Sequence, residues 1–265
     1  MIARQVLANG TATAAALVDL TGVSLMTIHR DLDELERRGM VRKYHGGVSA
    51  LASTVFESNH EYRMRTNQDL KNAIAACAAR FIEPGMSVML DDSTTALALA
   101  RLLEPKQPLT VVTNYLATLD VLRSVQHIRL ISLGGEYAPS HHSFVGSPCA
   151  DAIAGYSVDA AFISTSAMDA ALTYHQEQEE IVLKRAMINS GRRKFLLIDS
   201  TKIGRAALYH LLPVSAFDVV IVDEAVDQDL VNQLRDRVSV EIATVPSRSL
   251  MTPRNWPASP DPDRA

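Results

Sequence analysis

Two cysteines, one tryptophan and an aromatic share of 5% in 265 residues leave little room for several kinds of chemistry. Cys77 and Cys149 stand far apart with no CxxC partner, so neither a disulfide framework nor a redox pair is expected, and both fall in helical patterns that suit buried thiols. Zinc-type Cys/His spacing is missing too, and no metal is expected. No apolar run approaches the ~20 residues of a membrane span. The N-terminus lacks the charged, apolar and small-residue succession of a secretory signal, so a cytoplasmic setting without a membrane partner is expected.

Charge of a single sign is also in short supply. The net charge is -4, which argues against a protein whose whole surface meets nucleic acid. The distribution is uneven, however. Residues 1–50 carry six cations against five acids, a net +1, so the remainder must carry -5. A weakly basic module at one end of a larger acidic one fits a regulator whose DNA contact is local. With 47% hydrophobic and 21% charged residues, the chain has globular composition and length for two domains.

What is present at the N-terminal end is a helix-turn-helix pattern. The apolar run Ala14 to Leu20 is followed by Gly22, which permits the positive φ of a tight inter-helix turn. Ser24 can cap the next helix, and Thr27 takes the third helical position, where a capping box would carry Glu or Gln. Ile28, Leu32 and Leu35 recur as one buried stripe, leaving Thr27, His29 and Arg30 near the N-terminus of a helix able to enter a major groove. Gly39 ends it. Met40 to His45, bounded by Gly46 and Gly47, reads as a hairpin wing whose Arg42, Lys43 and His45 face phosphates. The candidate DNA contacts are therefore Ser24, Thr27, His29, Arg30, Arg42, Lys43, His45, Gly46 and Gly47. The bland reading is an amphipathic helix with solvated charges.

Beyond the small polar run Val48 to Thr54, short apolar strands alternate with amphipathic helices. Strands end at Leu90, Val112, Ile131, Ile163, Ile198 and Val222, and helices lie near 69–82, 95–103, 116–123, 179–189 and 229–235. That alternation predicts an α/β domain with a mostly parallel sheet covered on both faces. Ligands bind beyond the carboxyl ends of such strands. Those ends carry Asp91, Asp92, Ser93, Thr94 and Thr95, then Thr113 and Asn114, Gly134 and Gly135, Ser164 to Ser166, and Asp199 to Lys202. With Lys71 and Lys184 they would make a polar pocket offering acceptors to sugar hydroxyls and cations to a phosphate. Each alone could equally be a helix cap or a turn. Lys184 and Arg185 are placed on an exposed helical face.

In their order along the chain these segments resemble the DeoR family of bacterial transcriptional regulators over about residues 1–246. The resemblance rests on Val23 Ser24, Thr27 to Leu32 and His45 Gly46 Gly47, then on Lys71, Asp91 to Thr95, Thr113 Asn114, Gly134 Gly135, Lys184 to Met187 and Asp199 to Gly204. His29 replaces the family's usual Arg, and Ser93 its usual Gly. The resemblance implies a winged helix-turn-helix on a C-terminal domain similar to ribose-phosphate isomerases, which senses a phosphorylated sugar and frees a carbohydrate operon from repression. It implies that Ser93, Thr94 and Thr95 take the phosphate, with Lys71 or Lys202 neutralising it. Asp91, Asn114, Asp169, Glu180 and Lys184 would face the sugar hydroxyls.

The expected organisation is a DNA-binding domain over 1–52, a linker over 53–68, a sensor over 69–246 and a Pro-rich tail over 247–265, whose repeated prolines disfavour helix and ladder alike. The expected partners are double-stranded operator DNA, a sugar phosphate and a second copy, as dimer or tetramer, since two-fold dimers read paired half-sites. No catalytic residue and no cofactor are assigned. The competing reading is a sugar-phosphate isomerase with an added N-terminal module, in which Asp91 or Asp169 acts as base.

Overall fold

The structure, a computed structural model, describes residues 2, 5, 6, 11–37, 41–44, 46–50 and 60–245. His45, the Gly39 helix stop, linker residues 53–59 and the 247–265 tail lie outside the described residues.

The N-terminal part builds around one small core. Strand β1 (Thr11–Thr13) leads into helix α1 (Ala14–Thr21), which Thr13 caps by accepting from the Ala16 amide at 3.1 Å. Gly22 turns the chain with φ 72°, and α2 (Leu25–Arg37) follows. Ile28 and Leu32 are buried against Leu17, with Leu35 partly buried beside them, as the stripe requires. Strands β2 (Val41–Tyr44) and β3 (Gly47–Ala50) form the antiparallel wing, and β1 pairs with β3 to complete a three-stranded sheet. Residues 48–50 are thus strand, not the beginning of a connecting segment: Val48 is wholly buried in this core.

Residues 60–68, which the sequence assigns to the linker, hold helix α3 (His60–Arg65) and the start of α4 (Gln68–Ala79). From there the chain winds a seven-stranded parallel sheet. Its strands are β4 (Ser87–Leu90), β5 (Leu109–Thr113), β6 (Ile128–Ser132), β9 (Val158–Ile163), β12 (Gly191–Ile198), β14 (Val219–Asp223) and β15 (Ser239–Ala243). The spatial order is β6-β5-β4-β9-β12-β14-β15. Alternate residues feed opposite cores. Val88, Leu90, Phe162, Phe195 and Leu197 pack under α4, α5 (Thr94–Ala100) and α6 (Leu116–Leu122). Met89, Ile163, Leu196 and Ile198 pack under α7 (Ser147–Ala154), α8 (Gln178–Ser190) and α9 (Gln228–Arg235). Burial on both faces is why these strands read as unbroken apolar runs.

The antiparallel parts carry no such signal. Strands β7 (Glu136–Ala138) and β8 (Ser143–Val145) form a short hairpin, and β10 (Ala167–Met168), β11 (Leu172–His175) and β13 (Tyr209–Pro213) a small second sheet. Strand order reverses between β4 and β9, so the ends of these two strands flank the crevice where a doubly wound sheet accepts ligands. Among the described residues no helix is long and apolar enough to cross a membrane.

Candidate functional site

Two surfaces gather the residues singled out from the sequence. The first is the outer face of α2. Ser24 accepts from the Thr27 amide at 3.2 Å, and the two hydroxyls lie 3.0 Å apart, so both side chains are engaged in starting the helix. His29 and Arg30 are exposed on the same helix and have no partner among the described residues. Met26, one turn earlier, is 82% exposed. The i, i+3, i+4 spacing puts Met26, His29 and Arg30 on one face. Sequence reasoning passed over Met26 because an apolar residue in an amphipathic helix is ordinarily assigned to the core.

Arg42 is exposed on the wing, whereas Lys43 pairs with Asp33 and its amide donates to Glu36 at 2.8 Å, docking the wing on α2. Gly46 turns the wing with φ 84°, and a Cβ on Gly47 would stand 2.8 Å from the Tyr44 ring and from the Ala12 carbonyl. These two glycines set the shape of the wing.

The second surface is a buried polar cluster at the β4/β9 switch. Lys184 projects from α8 to Asp91 Oδ2 at 2.6 Å, Asp92 Oδ1 at 3.2 Å and Glu180 Oε2 at 3.8 Å. Lys184 is therefore interior, only 3% exposed, and it is Arg185 that occupies the outer face, donating to the Leu211 and His210 carbonyls. The helix is turned this way because Ile181, Leu183, Met187 and Ile188 must pack on the sheet, which carries Glu180 and Lys184 inward at i, i+4.

Asp91 closes its own turn. Oδ1 accepts from the Ser93 amide at 3.1 Å and Oδ2 from the Ser164 amide at 2.9 Å, tying the two strand ends together. Ser93 has φ -80° and caps α5 by accepting from the Ala96 amide at 3.0 Å, so this turn has no need of the family's glycine. Thr94 and Thr95 are buried in the first turn, where amides lack helical acceptors. The remaining hydrogen bonds bring in residues the sequence did not single out. Ser143 donates to Asp92 Oδ2 at 3.1 Å, His141 Nε2 lies 2.8 Å from Glu177 Oε2, and Arg63 Nη2 lies 3.3 Å from His141 Nδ1.

The electrostatics follow from burial. Burial works against the charges of Lys184 and Asp92. For Lys184, Asp91, then Asp92 and Glu180, outweigh it and raise the pKa above the usual lysine range. For Asp92, Lys184, then Arg63 and His141, outweigh it and hold the pKa below the usual carboxylate range. Burial, with Asp92 adding, pushes Glu180 up to about 8. For His141 the hydrogen bond to Glu177 overcomes burial and raises its pKa.

Beside this acidic end lies a small cavity, of about 10 Å³, lined by Tyr62, Arg63, Thr66, Asn67, Lys71, Asp199 and Lys202. Lys71 donates to the carbonyls of Arg63 and Thr66, and Lys202 to that of Thr165 at 3.3 Å. Asn67 donates to Asp199 Oδ1 at 3.3 Å. Five side-chain atoms in this region, Arg63 Nε, Asn114 Oδ1, Ser164 Oγ, Glu180 Oε1 and Asp199 Oδ2, are buried with no hydrogen-bond partner among the described residues.

Other expected residues serve the frame. Asp169 spends both oxygens in the β10–β11 turn, on the amides of Ala171 and Leu172 and the hydroxyl of Tyr174. Thr113 accepts from the Tyr115 amide at 3.1 Å. Gly135 is required by packing, since a Cβ there would stand 2.4 Å from the Val145 carbonyl, while Gly134 is exposed. Arg63 and Asn67 escaped the sequence reading because they fall in the span taken for a linker. His141 did so because nothing in its neighbouring sequence ties it to Asp92.

Residues 1–54 match the family described as the DeoR-like helix-turn-helix domain, and residues 66–224 match the DeoR C terminal sensor domain. The chain is similar to the uncharacterized HTH-type transcriptional regulator YgbI of Escherichia coli K12, with 33% identity over 86% of this chain and 89% of that one. It is similar as well to the glycerol-3-phosphate regulon repressor of the same organism, with 30% identity over 81% and 85%. Among solved structures, ribose 5-phosphate isomerase A of Methanocaldococcus jannaschii aligns with a TM-score of 0.38 and 18% identity, over 52% of this chain and 55% of that one.

Proposed function

The chain belongs to the DeoR family of transcriptional regulators, and from that membership we propose that it represses a carbohydrate-pathway operon and releases it when a phosphorylated sugar occupies the switch-point pocket. The observation that carries the effector half is the concentration of buried, unpartnered polar atoms around the β4/β9 crevice. Native interiors pair such atoms, so a cluster of them favours a ligand rich in hydroxyls.

The pocket has two ends of opposite character. Asp92, Asn114 and Glu180 offer acceptors to sugar hydroxyls, with Lys184 fixing the carboxylates. Arg63, Lys71 and Lys202 offer cations to a phosphate, and the amides of Thr94 and Thr95 add donors between the two ends. Lys71 donates to the Thr66 carbonyl and Lys202 to that of Thr165, and a phosphate oxygen is a stronger acceptor than a carbonyl. The name of the glycerol-3-phosphate regulon repressor, a relative, joins a phosphorylated polyol to repression in the same way.

Coupling runs through α3. Tyr62 lines the cavity and packs against the winged-helix core, and Arg63 reaches His141, so a ligand that recruits Arg63 acts on the first described helix after the wing. On the DNA side, His29 and Arg30 would meet base edges, Met26 a thymine methyl, and Arg42 the phosphates. A homo-oligomer reading paired half-sites in the cytoplasm completes the proposal.

The isomerase reading assigned the base to Asp91 or Asp169, and neither is free for it. Both oxygens of Asp91 and both of Asp169 are held by hydrogen bonds or by Lys184, and a proton-abstracting carboxylate needs a lone pair directed at substrate. A panel of pentose, hexose and triose phosphates tests the proposal by thermal shift, by operator titration and by turnover. One member should raise the melting temperature and lower operator affinity, and Lys202→Ala should remove both effects while sparing operator binding. A panel that neither shifts melting nor frees DNA, or turnover of any member, overturns it.

A further inference from the structure

Asp92, His141 and Glu180 each place one donor atom within 4.8 Å of the others. They come from the turn after β4, the loop between β7 and β8, and the first turn of α8, and all three are buried. We propose that they hold a divalent first-row transition metal of the Zn²⁺ or Mn²⁺ kind. One imidazole and two carboxylates suit such an ion better than Ca²⁺ or Mg²⁺, which take oxygen alone. This goes beyond the sugar-phosphate reading and does not depend on it.

Closely spaced acids are not by themselves a metal site, but Glu180 carries a second observation. Its residue is 2% exposed, and Oε1 has no hydrogen-bond partner among the described residues. A buried carboxylate oxygen without a donor is costly, and a cation satisfies it. Two of the three donors also have the supporting partners that metal ligands use. Glu177, 2.8 Å from His141 Nε2, favours the tautomer that leaves the Nδ1 lone pair toward Asp92, whose Oδ2 is 3.7 Å away. Ser143 steadies that same Oδ2.

Lys184 does not fill the place. It takes Asp92 through Oδ1, is balanced by Asp91 and stands 3.8 Å from Glu180 Oε2, so Asp92 Oδ2 and Glu180 Oε1 remain for the ion. Donors about 2.1 Å from one tetrahedral ion lie about 3.4 Å apart, so three donors within 4.8 Å of one another draw in by up to about 1.4 Å to hold it. Arg63 Nη2, 3.3 Å from His141 Nδ1, is the group the ion displaces. Three protein donors leave further positions open to water or to a hydroxyl-bearing ligand.

The test uses the untagged full-length chain, stripped with a chelator and titrated calorimetrically with ZnCl₂ or MnCl₂ alone. One ion per chain is expected. His141→Gln and Glu180→Gln should each weaken uptake by roughly tenfold or more, while His142→Gln, one residue away, leaves it unchanged. Circular dichroism verifies that the variants fold, and the visible bands of the Co²⁺ form should change in His141→Gln. Failure to take up either ion stoichiometrically, or equal uptake by the folded His141→Gln and Glu180→Gln proteins, overturns the site. Neither sugar nor DNA is present, so that failure leaves the regulator reading standing.

Discussion

Arg30 and Lys184 are both cations on helices, yet the fold treats them in opposite ways. Arg30 stands in water on α2 with no partner among the described residues, so its charge is available to phosphates and base edges and is screened by salt. Lys184 sits inside the sheet domain, held between Asp91 and Asp92. Its charge is already committed, and removing it would leave two carboxylates stranded in the interior. The winged-helix part thus leaves Arg30 and Arg42 exposed, while the sheet domain holds Lys184 fixed among carboxylates.

The difference can be broken most severely at Lys184. Lys184→Met should cost about 3–5 kcal/mol, as expected when one partner of a buried pair is removed, and urea unfolding of the two proteins measures it. Asp91→Asn in the same background should recover part of the loss; if the single substitution leaves the urea midpoint unmoved, the cluster is not the interior anchor described. Arg30→Ala should leave the midpoint in place and weaken operator binding by about tenfold or more, with a shallower salt dependence. An unchanged salt-matched titration would remove α2 from the groove.

Met26→Ala probes the same face without touching charge. Losing one apolar contact to a methyl group is worth about 0.8 kcal/mol, or about fourfold in operator affinity, and the salt slope should stay where it was. A further effect belongs to pH. Burial, then Arg63, pushes His60 down to about 4, with His142 and His141 acting in the same sense and Asp92 against it. Its imidazole is bonded to the Tyr115 hydroxyl and stacked on His142. Because the folded value lies below the ordinary one of about 6.5, the unfolded chain binds the proton more readily between the two. Stability is thus retained above about pH 6.5 and declines as pH falls toward 4. Urea midpoints at pH 7.5 and pH 5 should differ less in His60→Gln than in the parent.

The legible parts of the fold were those with a strong local period. The stripe Ile28, Leu32 and Leu35 placed α2, and the apolar runs ending at Leu90, Ile163 and Ile198 placed the central strands, because two covered faces leave no polar alternation. Strands β7, β8, β10 and β11 are two to four residues long, too short for a pattern. Strand β15, Ser239–Ala243, mixes Glu241 into an edge position and was missed for that reason. Helix α3 was hidden by its polar sequence His60 to Arg65, whose ordering comes from contacts such as His60 with Tyr115 and Arg63 with His141.

By itself the sequence determined the order of the central strands and their helices, the helix-turn-helix with its wing, and which polar residues follow the strands. These depend on spacing within a few residues, where backbone geometry translates pattern directly into structure. Only the tertiary structure decided which of those residues meet. It turned Lys184 inward, spent Asp169 on a hairpin, used Gly47 and Gly135 for close packing, and brought Asp92, His141 and Glu180 together from three distant segments. The reason is that α8 must lay its apolar stripe on the sheet and the β7–β8 loop must close over the switch point. Contacts made by that packing leave no trace in local spacing.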